Sequence, residues 1–183
     1  MLGLRAASVA MTRLGVGRAS DRELFAFVEL GSDHYAQGFA DGVQFATGCT
    51  FGKELIARLP QGKASVRLVD QVRGRAVRVA LRSEPIAALE RSDWFRACSV
   101  SGRFASACAA LAGPVIADIL ERSDEALCSV GPVFPLRLVS PRPTFQSFQC
   151  EACGESVLAS YARTVQGRRV CLACEPRCPP AAR

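Results

Sequence analysis

The first part of the chain alternates between helical and extended hydrophobic patterns. Its first apolar positions recur at the spacing of one helical face: Leu4, Ala7, Met11 and Leu14. Gly15 and Gly17 follow and predict the end of that helix. Residues 24–30 are apolar on nearly both faces, which is typical of a central strand. After a loop, a second helix is predicted to run into Gly48.

A hairpin and three helices are predicted next. Residues 66–69 and 76–81 are rich in β-branched side chains, and the Arg73-Gly74 link between them favours an antiparallel hairpin. Helical patterns then cover residues 84–90, 93–111 and 115–122. Ser92 has the position of an N-cap for the second of these helices, and Pro114 is predicted to separate it from the third.

A change in composition marks a domain boundary. A short strand is predicted over residues 126–130, and the prolines after it indicate an extended linker: Pro132, Pro135, Pro141 and Pro143. We therefore predict a core domain over residues 1–143 and a small appendage over residues 144–183.

The appendage carries the strongest chemical signal. Cys150-x2-Cys153 and Cys171-x2-Cys174 are separated by seventeen residues, which is the two-knuckle zinc pattern. A segment this short cannot build an adequate core, so metal binding would supply its folding free energy. Four thiolates close the coordination shell of Zn²⁺, which predicts a structural site. Two disulfides or four unligated thiols are the alternatives, and Cys178 is a spare thiol that could replace Cys174.

Composition bounds the class of protein. A hydrophobic content of 49% with 22% charged residues is that of a globular domain, and the net charge is +6. Nucleic acid is not an expected partner, because no basic run is interleaved with aromatic residues. The longest uncharged run, residues 104–117, is too short to span a membrane. Nine cysteines without an export signal indicate a reducing compartment, so we expect a cytoplasmic protein.

A second candidate site lies around Cys49. Glycines on both sides of this cysteine allow a sharp turn and a close approach to a ligand, and Lys53 could stabilise a thiolate. Cys49 is therefore a candidate metal ligand or nucleophile. The alternative is a small buried residue at a helix end.

Several blocks of the chain resemble the FmdE family of formylmethanofuran dehydrogenase proteins. They are Thr47-Gly48-Cys49-Thr50-Phe51-Gly52-Lys53 with the preceding Asp41 and Gln44, Gly62-Lys63, Gly74-Arg75-Ala76-Val77-Arg78-Val79, and Cys150-Glu151-Ala152-Cys153-Gly154-Glu155. The resemblance implies an α+β core, with helices packed on an antiparallel sheet, followed by a small C-terminal treble-clef zinc finger. It also implies a link to one-carbon metabolism, in which carbon dioxide and methanofuran interconvert with formylmethanofuran. In that system molybdenum or tungsten pterin subunits and iron–sulfur subunits carry the redox chemistry.

The core departs from the family pattern. Family members open with a Phe-His-Gly-His-Xaa-Cys-Pro-Gly stretch, whereas residues 1–7 resemble the segment just after it. Either the start codon is assigned too late or that part of the site has decayed. Gly38 stands where members commonly have a cysteine. Cys49, His34 and Asp41 could then give at most three ligands to a second, degenerate metal site in the core.

Three functions remain open. The resemblance favours a zinc-binding accessory or metal-handling protein that is not itself the redox catalyst and that acts with protein partners or as a homodimer. The second is a zinc-finger regulatory or nucleic-acid-binding protein, which would use Arg163, Arg168 and Arg169. The third is a thiol enzyme with Cys49 as nucleophile, for which His34 is the one available histidine base. No recognisable catalytic constellation decides whether the chain is an enzyme.

Overall fold

The chain forms two compact units. The computed structural model describes residues 1–31, 37–101, 109–139 and 145–177. The units divide after Leu138. The linker boundary predicted at residue 143 falls within residues 140–144, outside the described ranges, and stays a prediction.

A six-stranded mixed sheet lies in the first unit. Its strands are β1 (Leu24–Val28), β2 (Ile56–Arg58), β3 (Ser65–Asp70), β4 (Arg75–Leu81), β5 (Cys128–Val130) and β6 (Phe134–Pro135). The spatial order is β2-β1-β3-β4-β5, and β6 also pairs with β4. The predicted hairpin is confirmed, because β3 and β4 are antiparallel and Gly74 turns between them with a φ of 65°. The expected antiparallel sheet contains one parallel pair, β1 with β2.

Helices surround this sheet. Within the described ranges they are α1 (Leu2–Leu14), α2 (Gln37–Thr47), α3 (Ser83–Arg91), α4 (Asp93–Ser101), α5 (Ala109–Glu121) and α6 (Asp124–Leu127). The first unit is therefore of the predicted α+β class.

One face of the sheet packs on α1 and α2. Alternate strand residues join this core, including Ala26, Leu68 and Val77, because successive side chains of a strand point to opposite faces. The predicted first helix is confirmed, and Gly15 caps it in the left-handed conformation with a φ of 59°. The buried face of α1 differs from the predicted one. It consists mainly of small residues: Gly3, Ala6, Ala7, Val9, Ala10 and Leu14.

The later helices confirm one capping prediction and correct another. The Ser92 hydroxyl oxygen accepts a hydrogen bond from the Phe95 amide at 3.1 Å, as expected for an N-cap. The prediction that Pro114 separates two helices is wrong, because α5 continues through it. A proline inside a helix costs about 3 kcal/mol. The Arg5 guanidinium offsets part of that cost, since it donates to the carbonyl oxygens of Ile119 and Arg122, both at 2.8 Å.

The second unit consists of two antiparallel hairpins. They pair β7 (Ser147–Gln149) with β8 (Ser156–Leu158), and β9 (Ala162–Val165) with β10 (Arg168–Cys171). Its small core combines three buried cysteines with the buried side chain of Val170. A single 3₁₀ turn, Glu175–Arg177, follows. Among the described residues of the whole chain, no helix is long and apolar enough to cross a membrane.

Candidate metal centre

Four cysteines of the second unit converge on one point. The Sγ atoms of Cys150, Cys153, Cys171 and Cys174 all lie within 4.8 Å of one another. Tetrahedral zinc with Zn–S bonds of about 2.3 Å would place its sulfurs about 3.8 Å apart, so only small movements separate this cluster from a coordination shell. Cys153 is exposed, while the other three are buried. The cluster could therefore hold a metal ion.

Tight turns present each pair of thiols. In the first, the Cys150 carbonyl oxygen accepts from the Gly154 amide at 2.8 Å, and the Cys150 amide donates to the Glu155 carbonyl oxygen at 2.9 Å. Gly154 has a φ of 75°, which is a conformation that glycine adopts without strain. In the second turn, the Cys174 amide donates to the Cys171 carbonyl oxygen at 3.0 Å. Each turn thus brings together sulfurs that are three positions apart in the sequence.

Backbone amides stabilise a thiolate at Cys150. The Cys153 amide is the largest cause that lowers the pKa of Cys150, to about 6, and the amides of Cys171 and Ala152 add to it. The Cys171 amide lies 3.3 Å from the Cys150 sulfur. The pKa of Cys174 is raised to about 12, because its thiol is hydrogen-bonded to the Cys171 sulfur and is buried. The sulfurs therefore compete for protons, and a metal cation would replace the protons that they hold.

Arginines of the second hairpin support the first turn. The Arg168 guanidinium donates to the Glu151 carbonyl oxygen, and the Glu151 carboxylate accepts from the Arg169 amide at 2.8 Å. The Arg169 guanidinium lies over the Phe148 ring, 4.4 Å from its centroid. The sequence analysis did not identify Phe148 or Glu151, although the CxxC spacing implies that two turns must meet.

The residues of the hypothetical core site do not assemble in the same way. Cys49 is fully buried, its amide donates to the Thr47 hydroxyl oxygen at 3.1 Å, and burial raises the pKa of its thiol. Asp41 is exposed on α2. Among the described residues these two join no cluster of three potential ligands. His34 lies outside the described residues.

Lys53 does not act on the Cys49 thiol through a direct contact that the structure describes. Its ammonium group donates to the Ser20 carbonyl oxygen at 3.0 Å. The environment of Cys49 is that of a small buried residue following a helix, which was the alternative interpretation of this stretch.

Comparisons with known proteins match most of the chain. The family model described as FmdE, Molybdenum formylmethanofuran dehydrogenase operon, matches residues 1–129. The chain is similar in fold to a solved FmdE-like protein of tungsten formylmethanofuran dehydrogenase from Syntrophus aciditrophicus, with a TM-score of 0.57 and 21% identity. That match covers 99% of this chain and 86% of the other.

A further relative is known from Archaeoglobus fulgidus. It is a probable S-adenosyl-L-methionine-binding protein, 34% identical over 90 residues. The match covers 46% of this chain and 23% of that protein, so the chain spans about a quarter of the length of that relative.

Proposed function

The chain belongs to the FmdE family, and from that premise we propose that it is a zinc-binding accessory or metal-handling protein linked to formylmethanofuran metabolism. The redox catalyst in this proposal is another protein. The single observation that carries the proposal is the convergence of four sulfurs within 4.8 Å.

Zinc is the ion that best suits these ligands. Four thiolates on two turns are typical of structural zinc sites, and soft sulfur ligands select against Mg²⁺ and Ca²⁺. Four protein ligands would fill a tetrahedral shell and leave no position for a substrate. The site would therefore stabilise the second unit and would not perform catalysis.

The proposed zinc finger is of the treble-clef type. The order of its parts supports this assignment: a cysteine turn after β7, then the β9–β10 hairpin, and a second cysteine turn. A single helical turn, Glu175–Arg177, begins directly after the second pair of cysteines. Metal binding would tie these small elements together, since four buried or half-buried apolar side chains supply little hydrophobic stabilisation.

An accessory role also fits the arrangement of the core. The buried thiol of Cys49 has a raised pKa, which works against both metal ligation and nucleophilic attack. We place the protein in the reducing cytoplasm, where thiolates remain available for zinc. Its partners in this proposal are protein subunits of the formylmethanofuran system or a second copy of the chain.

Nucleic-acid binding is less well supported by the geometry. Arg168 and Arg169 both make contacts within the finger, to Glu151 and Phe148. Arg163 lies 3.8 Å from the Glu175 carboxylate. These guanidinium groups have roles in holding the finger together, which accounts for them without a phosphate backbone.

Metal content per chain tests the proposal directly. We expect one zinc in the wild type and in Cys49→Ser, measured by plasma mass spectrometry, and loss of zinc in Cys150→Ser and Cys171→Ser. Cys49→Ser is the matched control, because it removes a thiol from the core and leaves the finger unchanged. Iron in place of zinc, or an unchanged zinc content in the finger variants, would contradict the assignment.

The accessory role needs a separate assay. We expect no formylmethanofuran oxidation by the purified zinc protein, and co-elution with the catalytic formylmethanofuran dehydrogenase subunits in size-exclusion chromatography. Turnover by the isolated chain would show that it is a catalyst. Failure to co-elute would remove the proposed link to the complex.

A further inference from the structure

The first unit contains a cavity of about 480 Å³ that is separate from the cysteine cluster. One wall consists of the beginnings of α1 and α2, including Gly3 and Phe39. The opposite wall is formed by the helices α3 to α5, and Leu30 and Leu81 at the end of the sheet complete it. The volume lies within the range of roughly 300–1,000 Å³ that small-molecule sites occupy.

Apolar side chains dominate the lining of this cavity. Trp94 and Phe95 of α4 contribute aromatic surface, and α3 and α5 contribute aliphatic surface through residues such as Ile86 and Ile119. Such a lining favours the apolar body of a ligand, because the transfer of apolar surface out of water is favourable. The cavity has an open side, so a ligand can reach it from solvent.

Positive electrostatic potential is concentrated at one end of the cavity. Lys63 lines it and is exposed, and among the described residues its ammonium group has no hydrogen-bond or ion-pair partner. The first turn of α1 lies at the same cavity through Leu2 and Gly3. Neither α1 nor α2 has an acidic residue in its first turn, and Met1 provides no side-chain cap. The partial positive charge of a helix N-terminus therefore adds to that of Lys63.

We propose that this cavity binds an amphiphilic carboxylic acid, which has one anionic head group and an apolar aliphatic or aromatic body. The body packs among Trp94, Phe95 and the apolar side chains of α5, and the carboxylate lies near Lys63 and the start of α1. Glu90 also lines the cavity. Its negative charge works against a second anionic group, so the ligand is a monoacid. This site lies in the core and does not depend on zinc in the finger.

Trp94 provides a direct readout, because it is the one tryptophan in the chain and it lines the cavity. The probe is sodium decanoate, and decanol is the uncharged control of equal chain length. We expect decanoate to cause a saturable change in Trp94 emission in the full-length zinc-loaded protein, with isothermal titration calorimetry giving the same affinity. Decanol should bind more weakly, by about two- to fivefold, as expected for the loss of one partly exposed ionic contact.

Two variants separate the charge from the cavity. Lys63→Gln should weaken decanoate binding by the same factor of about two to five and leave decanol binding unchanged. Ala112→Phe, which fills the cavity from α5, should weaken the binding of both ligands. Lys53→Gln is the matched control, since Lys53 is the other lysine of the chain and is not among the residues that line the cavity. It should bind both ligands as the wild type does.

Three outcomes would overturn the proposal. They are no saturable binding of decanoate up to about 1 mM, equal affinity for decanol and decanoate in the wild type, and binding that is unchanged in folded Ala112→Phe. If Ala112→Phe does not fold, the comparison of the two lysine variants still decides whether the charge at the cavity is used.

Discussion

Gly3 of α1 and Gly42 of α2 bring the backbones of these two helices into direct contact. A Cβ atom on Gly3 would lie 2.0 Å from the Phe39 carbonyl oxygen. A Cβ atom on Gly42 would lie 2.6 Å from the Leu4 amide nitrogen and 3.3 Å from the Gly3 Cα atom. Both distances are to backbone atoms, which cannot move aside as a flexible side chain can. The two glycines therefore set how closely the helices approach.

Alanine at either contact position should destabilise the core. We expect Gly3→Ala and Gly42→Ala to lower the free energy of unfolding by about 1–3 kcal/mol, because the helices must separate to admit a methyl group. Gly38→Ala is the control on the same helix, since a Cβ there meets no atom within 4 Å. Helix propensity predicts that this control is neutral or stabilising. Urea unfolding of the three variants is the measurement, and equal stability for Gly38→Ala and Gly42→Ala would refute the close-contact explanation.

Arg5 links α1 to the end of α5. Its side chain is 17% exposed and donates to the Ile119 and Arg122 carbonyl oxygens and to the Asp124 carboxylate. Arg5→Met should cost about 2 kcal/mol, because it leaves carbonyl oxygens at a helix end without donors. Arg13→Met is the matched control on α1, where Arg13 is exposed and should change stability by at most about 0.5 kcal/mol. Thermal unfolding of both variants distinguishes a specific cap from a general effect of charge.

Glu29 is the buried centre of an ionic network that follows β1. Its side chain is 1% exposed and accepts hydrogen bonds from Ser65 and Arg78, both at 2.6 Å, and from Arg67 at 3.1 Å. Arg67 and Arg78 face each other in the β3–β4 register. Hydrogen bonding from Arg78 is the largest cause that lowers the pKa of Glu29, from 4.5 to about 2.

This lowered pKa predicts how stability depends on pH. A depressed pKa in the folded state stabilises the protein above the unfolded-state value, and that contribution is lost as the pH falls toward the folded-state value. The shift corresponds to about 3 kcal/mol. We expect Glu29→Gln to be less stable than the wild type near neutral pH, with the difference shrinking between about pH 5 and pH 2. Chemical unfolding across this pH range is the measurement. Glu54→Gln, which changes an exposed carboxylate, should show no such convergence.

Removal of the metal should affect the second unit alone. We expect a zinc chelator to make the finger sensitive to trypsin and to leave a resistant fragment that contains residues 1–138, because the first unit has its own apolar core. Mass spectrometry of the digest identifies the fragment, and adding zinc back is the control for damage by the chelator. Equal rates of cleavage in both units would mean that the finger and the core unfold together.

Local features of the chain could be predicted well from its sequence. The Gly74 turn and the Ser92 cap depend on residues a few positions apart, and both occur in the structure. The cysteine spacing also has a local basis, since each CxxC pair needs only one tight turn. Pro114 misled the prediction because propensity expresses an intrinsic cost and cannot register the Arg5 contacts at the far end of α5.

By itself, then, the sequence determined the class of the core, its hairpin and first helix, and the four sulfur ligands, because hydrophobic period, turn chemistry and ligand spacing act over short distances. The tertiary structure alone decided which face of α1 is buried, since that face is set by the approach of Gly42. It also decided the environment of Glu29, whose partners Ser65, Arg67 and Arg78 are 36 to 49 residues away in the chain. The same holds for the cavity beside Lys63, because a void exists only once the helices around it have packed.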